Sequence, residues 1–369
     1  MKRFVKRLKD ITKRTINLLL NRTSGILDIR SVETIMDEEL EKHLQPGKKT
    51  ILYIAKRYDY GKKDWGLSFE HYNFYNALLR AGYSLVYFDY DRIKQKYGNK
   101  KMSQILREAV FYYHPEILLY LHTNDWVDHS LWKEISNELP TKTVIFLLDD
   151  NMQYENTRSI WELFNLVVTT DKNGYEKRKK EGFNKVFLSQ YACNPFIYKN
   201  LNLPRIYDVT FIGRCYGERR EFVNKLKEKG IDIKTFGQGW GSDKRILQPD
   251  LIKIYNQSKI SLNMSLSYGY IYTVKGRDFE GPACGALLVT MDSEDIKKYF
   301  IPGKEIITYK DVDDAAKKIK YYLEHEKERK IIIDNGYNRI LKDHTYERRF
   351  NEIFNFLDQM DDKKNLKNF

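Results

Sequence analysis

Two glycine-bearing stretches in the second half of the chain bring cations to places where an anion could be held. The first, Phe211-Ile-Gly-Arg-Cys-Tyr-Gly-Glu-Arg-Arg220, leaves an apolar run, breaks at Gly213 and re-enters a helical pattern. Glycine allows close backbone approach to a ligand, and a helix N-terminus with Arg214 and Arg219 nearby favours an anion such as a diphosphate. A plain turn with solvated arginines has the same pattern. The second stretch, Thr273-Val-Lys-Gly-Arg-Asp-Phe-Glu-Gly-Pro-Ala-Cys-Gly-Ala-Leu-Leu-Val289, joins Lys275 and Arg277 to Glu280 in a loop ahead of an apolar strand. A carboxylate can accept both hydroxyls of a ribose while neighbouring cations neutralise phosphate. This grouping is the most informative in the chain.

The first half offers weaker candidates. His122 follows the run Glu116–Leu121 and could act as a base or hold a hydroxyl; a loop histidine with local hydrogen bonds fits equally. Asp149 and Asp150 end another apolar run, where paired carboxylates could poise one as a base or simply cap the next helix. The stretch Tyr60-Gly-Lys-Lys-Asp-Trp-Gly66 could close over a ligand or be plain surface. Asp89-Tyr-Asp91 has a form used elsewhere to bind a metal–nucleotide complex. Its place at a strand end assigns it to a turn. No metal site is expected.

These residues need elements to hold them. Apolar runs at 50–55, 84–89, 116–121, 143–148 and 166–169 alternate with helical patterns at 70–81, 103–113 and 131–139. The alternation restarts after 186–190, with strands at 207–212, 231–236, 260–264 and 286–290. Helices are expected at 219–229, 251–257, 311–324 and 327–342. Strands that are apolar throughout and alternate with helices indicate parallel sheets covered on both faces. The pattern gives two Rossmann-like, doubly wound α/β domains facing a cleft, over 49–195 and 196–345. A basic amphipathic extension at 1–48 precedes them, and a crossover helix and tail at 346–369 follow. Ligands sit beyond the carboxyl ends of such strands, which is where the candidates lie.

The 369 residues carry a formal charge of +13, of which residues 1–22 hold +7 through eight Lys or Arg against Asp10 alone. Phe4, Leu8, Ile11 and Leu19 recur there at helical spacing. Such a helix can lie on an anionic membrane surface or pack its apolar stripe on its own protein. Nucleic acid would also accept the charge, but no recognisable nucleic-acid-binding motif supports it. Cys193, Cys215 and Cys284 are far apart and form no zinc-ligand spacing, which suggests inert reduced thiols. No apolar run approaches a membrane span, and no signal-peptide pattern opens the chain. The expected location is cytoplasmic, with the membrane periphery left open.

Lys275–Gly285 with Leu288–Thr290 resembles the Phe-Glu-x-Pro-Ala-Cys-Gly signature of the CgeB-type, spore-maturation-like glycosyltransferases of the GT-B fold. Phe211–Arg214, Phe236-Gly-Gln-Gly-Trp240, Tyr255–Asn263, Ile301-Pro-Gly-Lys-Glu305 and His344-Thr-Tyr-Glu-Arg348 fall in the family's order, with looser likeness at Thr169-Thr-Asp171 and Asn194-Pro195. The resemblance implies transfer of a sugar, hexosyltransferase fashion, from a nucleoside-diphosphate sugar to a hydroxyl of a glycan, protein or lipid, with no cofactor. It implies that Glu280 binds the donor ribose and that Lys275, Arg277 and Arg214, with Arg219 in reserve, meet the diphosphate. Trp240 either lines the base pocket or is structural. Related enzymes often carry another Glu where this chain has Tyr272. That departure gives weight to an inactive nucleotide-sugar binder; the charge leaves a basic nucleic-acid-associated protein as a second alternative.

Overall fold

A strand that is apolar on both faces needs cover on both, and the chain provides it by alternating strands with helices. The computed structural model describes residues 29–122, 128–241, 245–267 and 271–366. The basic segment 1–22 and the stretch Thr123–Asp125 after His122 lie outside the described residues. Helix α1 (Ile29–Glu39) leads into β1 (Glu41–His43) and β2 (Thr50–Ala55). After a loop, a π-helical turn at His71–Tyr75 runs into α2 (Asn76–Arg80). There follow β3 (Ser84–Asp89), α3 (Tyr90–Tyr113), β4 (Ile117–His122), α4 (His129–Glu138) and β5 (Lys142–Leu147). The first unit closes with α5 (Asp150–Thr157), β6 (Leu166–Thr169), α6 (Lys172–Lys180) and β7 (Val186–Leu188).

The first sheet has the order β1-β3-β2-β4-β5-β6-β7, parallel throughout except for β1. Residues 41–43 therefore join this sheet although they precede residue 49, where the sequence pattern opens the domain. A three-residue strand is too short to show a period. Every residue of β3 and β4 is buried, so neither could alternate polar with apolar. Asp89 ends β3 and caps α3, accepting from the Arg92 N–H (3.4 Å), while Asp91 turns to Gln95 (2.7 Å). That is the strand end and turn expected of Asp-x-Asp.

The second unit contains β8 (Tyr207–Ile212), α7 (Arg219–Glu228), β9 (Ile233–Phe236), α8 (Gln248–Asn256) and β10 (Ser258–Leu262). A small hairpin, β11 (Leu266–Ser267) with β12 (Ile271–Tyr272), precedes α9 (Arg277–Ala283), β13 (Leu287–Met291) and β14 (Ile307–Tyr309). The sheet order is β14-β13-β10-β8-β9, all parallel. In each sheet the winding reverses once, between β2 and β4 in the first and between β8 and β10 in the second. In sheets of this kind ligand crevices open at such places, and the loops after β2, β4, β8 and β10 border them.

Helices α10 (Val312–Glu324) and α11 (Glu326–Asp343) cover the second sheet, and α12 (Tyr346–Leu366) crosses back to the first. Tyr346, Phe350, Ile353, Phe354 and Leu357 pack against Ile51, Tyr53, Leu119 and Phe146 of its strands. At roughly 1.5–3 kcal/mol for each fully buried apolar side chain, Phe350, Ile353, Phe354 and Leu357 contribute on the order of 8 kcal/mol before entropy. Lys49 and Lys142 at the sheet's lower edge both reach Asp358 of α12, at 2.9 and 3.0 Å. No helix among the described residues is long and apolar enough to cross a membrane.

Candidate functional site

The crevice of the second sheet is built by two loops that can meet only through glycine. Gly213 follows β8, and its N–H donates to the Phe236 carbonyl (2.9 Å) while Cys215 N–H donates to Gln238 (2.8 Å). Gly237 has φ +122°, and a Cβ there would stand 2.7 Å from the Gly213 carbonyl oxygen. Trp240 donates its indole N–H to that same oxygen (2.7 Å) and packs edge-on against Phe211. The indole N–H of Trp240 is thus committed to fixing the loop. Arg219 is buried and spans the crevice, donating to the carbonyls of Met264 (2.7 and 3.2 Å) and Arg214 (2.9 Å). Burial lowers its pKa to about 10, so it remains cationic at neutral pH. The Arg214 side chain, on the same loop, is exposed.

Arg277, the first residue of α9, supplies the second charge. Its Cζ lies 3.4 Å from where a Gly213 Cβ would stand, and the Arg219 guanidinium 3.6 Å from the same point. Among the described residues no carboxylate lies within ion-pair distance of Arg277. The two guanidiniums converge beside the buried Gly213, whose own N–H and carbonyl are bonded to Phe236 and Trp240, and together form a candidate anion seat.

Within the second stretch, 273–289, residues 277 to 283 form a helix, where the sequence pattern gives a loop. Gly276, Gly281 and Pro282 hide it from propensity, and a buried carboxylate holds it instead. Asp278 is fully buried and accepts from Asn263 (2.6 Å), Ser265 (3.0 Å), Thr290 (3.0 Å) and the Lys275 N–H (3.0 Å). Burial raises its pKa against the pull of those bonds. Glu280, one turn on from Gly276, is buried, and desolvation raises its pKa to about 7. The Arg277 charge and the Tyr198 hydroxyl, itself bonded by Gln248, pull it down.

Lys275 turns the other way. Its ammonium crosses the cleft to Asp149 (2.8 Å) and lies over the Tyr191 ring. Asp150, next to Asp149, is fully buried in an ion pair with both terminal nitrogens of Arg178 and accepts from Thr169 (2.6 Å). Tyr154 and Trp161 pack on that guanidinium at 4.6 and 4.1 Å. Breaking such a buried pair typically costs about 3–5 kcal/mol, so this geometry suits Asp150 to holding the fold. His122 ends β4 and is buried, with Nδ1 3.2 Å from the Tyr120 hydroxyl. A cavity of about 670 Å³ opens between the sheets beside Lys275, walled by Leu148, Thr170, Gln190, Tyr191, Tyr272 and Tyr299.

Residues 218–355 match a family model described as "Glycosyl transferase-like". The spore protein CgeB of Bacillus subtilis (strain 168) is 20% identical over 251 residues, 61% of this chain and 76% of that protein. Among solved structures, an α-glucosyltransferase in complex with UDP-glucose and DNA containing an abasic site superposes at a TM-score of 0.58. It shares 12% identity over 84% of this chain and all of that one. Sucrose-phosphate synthase from Thermosynechococcus elongatus gives 0.57, with 11% identity over 85% and 99% of the two chains. Anabaena HepE, solved with UDP-glucose, gives 0.56, with 10% identity over 84% and 99%. The fold is GT-B.

In this GT-B chain the structure brings Gly213, Arg219 and Arg277 to one point, with Glu280 one turn along the same short helix. Lys275 and Asp149 form a bridge between the sheets, and Arg214 is exposed on the loop that carries Gly213. Sequence reasoning passed over Asp278, Tyr198 and Glu70. The first two are structural supports whose partners are distant in sequence. Glu70 reads only as the first residue of a helix, although it follows the loop at the crevice of the first sheet. Cys193 and Cys284 are buried free thiols whose pKa burial raises.

Proposed function

We propose that the chain is a glycosyltransferase that moves a sugar from a nucleoside-diphosphate sugar to an acceptor hydroxyl without a metal ion. The observation that carries this reading is the unpaired Arg277 guanidinium facing Gly213 beside Arg219. As the bond from the anomeric carbon to the diphosphate breaks, its electron pair passes to phosphate oxygen. Preorganised guanidiniums stabilise that developing charge, a job a metal takes in other enzymes. Glu280 accepts the ribose hydroxyls from below, and Trp240 holds the loop against which the base rests. The acceptor, a glycan, protein or lipid, enters through the cavity beside Lys275. UDP is the first nucleotide to test, since solved neighbours hold UDP-glucose.

Thermal-shift screening against UDP-, GDP- and dTDP-linked hexoses tests the reading, because a ligand of the folded state raises its melting temperature. One donor should stabilise the wild type, and Arg277→Ala should lose most of the shift. Removing one such charge contact should cut turnover by about 10²–10³-fold. No shift with any donor would overturn the reading. Tyr272, in place of a second glutamate, supports the rival of a binder without transfer. Slow donor hydrolysis in the absence of acceptor distinguishes the two.

A further inference from the structure

Across the cleft from α9, the first sheet offers a carboxylate that no ion pair holds. Glu70 stands at the entrance to the helix that follows β2, where Ser68 caps the chain by accepting from the His71 N–H (3.1 Å). The Tyr53 hydroxyl donates to the Glu70 carbonyl (2.9 Å), which ties this residue's backbone to β2. Next comes the π-helical turn His71–Tyr75. Turns of this kind are rare and concentrate at functional sites, where they re-aim neighbouring side chains.

Phe69, one residue earlier, marks the distance to the donor helix. Its ring packs on Tyr191 at 5.9 Å between centroids, and its Cε2 is 3.2 Å from where a Cβ of Gly276 would stand. From the same point Glu280 Oε1 is 3.0 Å away. Phe69 thus sits in the seam between the two sheets, and Glu70, the next residue, is half-buried and still reached by solvent.

On the first unit's side of this seam, three other carboxylates are engaged in ion pairs. Asp59 pairs with Arg245, Asp149 with Lys275, and Asp150 with Arg178. Among the described residues Glu70 has no cation within ion-pair distance. Burial, with the negative charges of Asp59 and Asp149, raises its pKa against hydrogen bonds from its own N–H and from Ser68. A base is most effective when its pKa approaches the working pH.

We propose that Glu70 is the general base that takes the proton of the acceptor hydroxyl. The inference rests on the glycosyltransferase reading above. In the step it implies, the hydroxyl proton passes to the Glu70 carboxylate as the acceptor oxygen bonds to the anomeric carbon. The bond from that carbon to the diphosphate breaks, and its electron pair leaves on the phosphate.

Glu70→Gln and Glu70→Asp test this with the donor that stabilises the wild type, water serving as acceptor. Glu70→Gln should lower hydrolysis by about 10²–10⁴-fold, with UDP affinity by calorimetry within twofold of wild type. The acidic limb of the pH–rate profile should vanish in Glu70→Gln and shift in Glu70→Asp. Formate should restore part of the rate to Glu70→Ala. Turnover of Glu70→Gln within threefold of wild type, or a loss confined to nucleotide affinity, would overturn the assignment. A wild type that hydrolyses donor while Glu70→Gln does so equally sinks only the base. A wild type that neither binds nor hydrolyses any donor sinks the enzyme reading and the base together.

Discussion

Burial raises the Glu280 pKa to about 7, so in the ribose-binding role proposed for it, its protonation state should govern nucleotide affinity. Glu280 owes that value chiefly to desolvation. Folding raises its pKa, so the apo protein gains stability from this group at acid pH and loses it as pH climbs toward 7. A shift of this size corresponds to about 3 kcal/mol. Two outcomes are expected. Nucleotide affinity should rise as pH increases through about 7, because the ionised form accepts both ribose hydroxyls. Apo melting temperature should fall as pH rises from 4.5 to about 7, relative to Glu280→Gln, which lacks the titration. Calorimetry on either side of the raised pKa, and thermal melts across that lower window, check the two. Flat affinity for the wild type would remove Glu280 from the ribose. The pairing of Glu280 with Arg277 on one segment was legible in the sequence, since both lie in one short motif. The inward turn of Arg219 and the departure of Lys275 toward Asp149 were not, because they depend on carbonyls and carboxylates supplied by remote loops.

Among the elements, the loop between β2 and the π-helical turn carries an unusual clasp. Arg245 from the second sheet's side pairs with Asp59 and lies over the rings of Trp65 (4.4 Å) and Tyr60 (5.4 Å), while Lys62 covers Trp65 from its own loop (4.1 Å). Tyr60 adopts φ +49°, a left-handed conformation that costs a non-glycine residue about 1 kcal/mol or more. Stacked and paired cations of this kind contribute about 1–2 kcal/mol together, enough to bias closure without locking it. Arg245→Ala should enlarge the radius of gyration of the ligand-free protein in small-angle scattering and raise the donor KM several-fold. Unchanged scattering and KM would show that the clasp does not hold the halves together. The strands 50–55, 84–89, 166–169 and 207–212 stand where apolar runs place them, because full burial leaves no other signal to compete. Helix α6 escaped the pattern for the opposite reason. It is polar all round, and only Gly174 and Arg178 are buried. Strand β14 is too short for a period to show.

For the molecule as a whole, α12 is the piece that decides integrity. Phe350 is buried on the first sheet, among residues of the opening strands. Phe350→Ala should cost about 3–5 kcal/mol, read from urea denaturation followed by tryptophan fluorescence. A loss below about 1 kcal/mol would mean that α12 is outside the cooperative unit. Asp358→Ala, which frees Lys49 and Lys142 at a partly exposed site, should cost no more than about 1 kcal/mol. The helical pattern at 346–357 is visible in the sequence, but the surface it covers is set some three hundred residues upstream.

The chain passes between the two sheets twice, and the passages lie side by side: Cys193 N–H donates to the His344 carbonyl (2.9 Å), and Tyr346 N–H to Cys193 (3.1 Å). Everything from about 196 to 343 is therefore looped out from a body that begins and ends elsewhere. The strands of the first sheet are complete by residue 188, yet its apolar flank stays bare until Tyr346–Leu366 is in place. A nascent chain arrested near residue 345 should expose that flank to chaperones, and one released at full length should not.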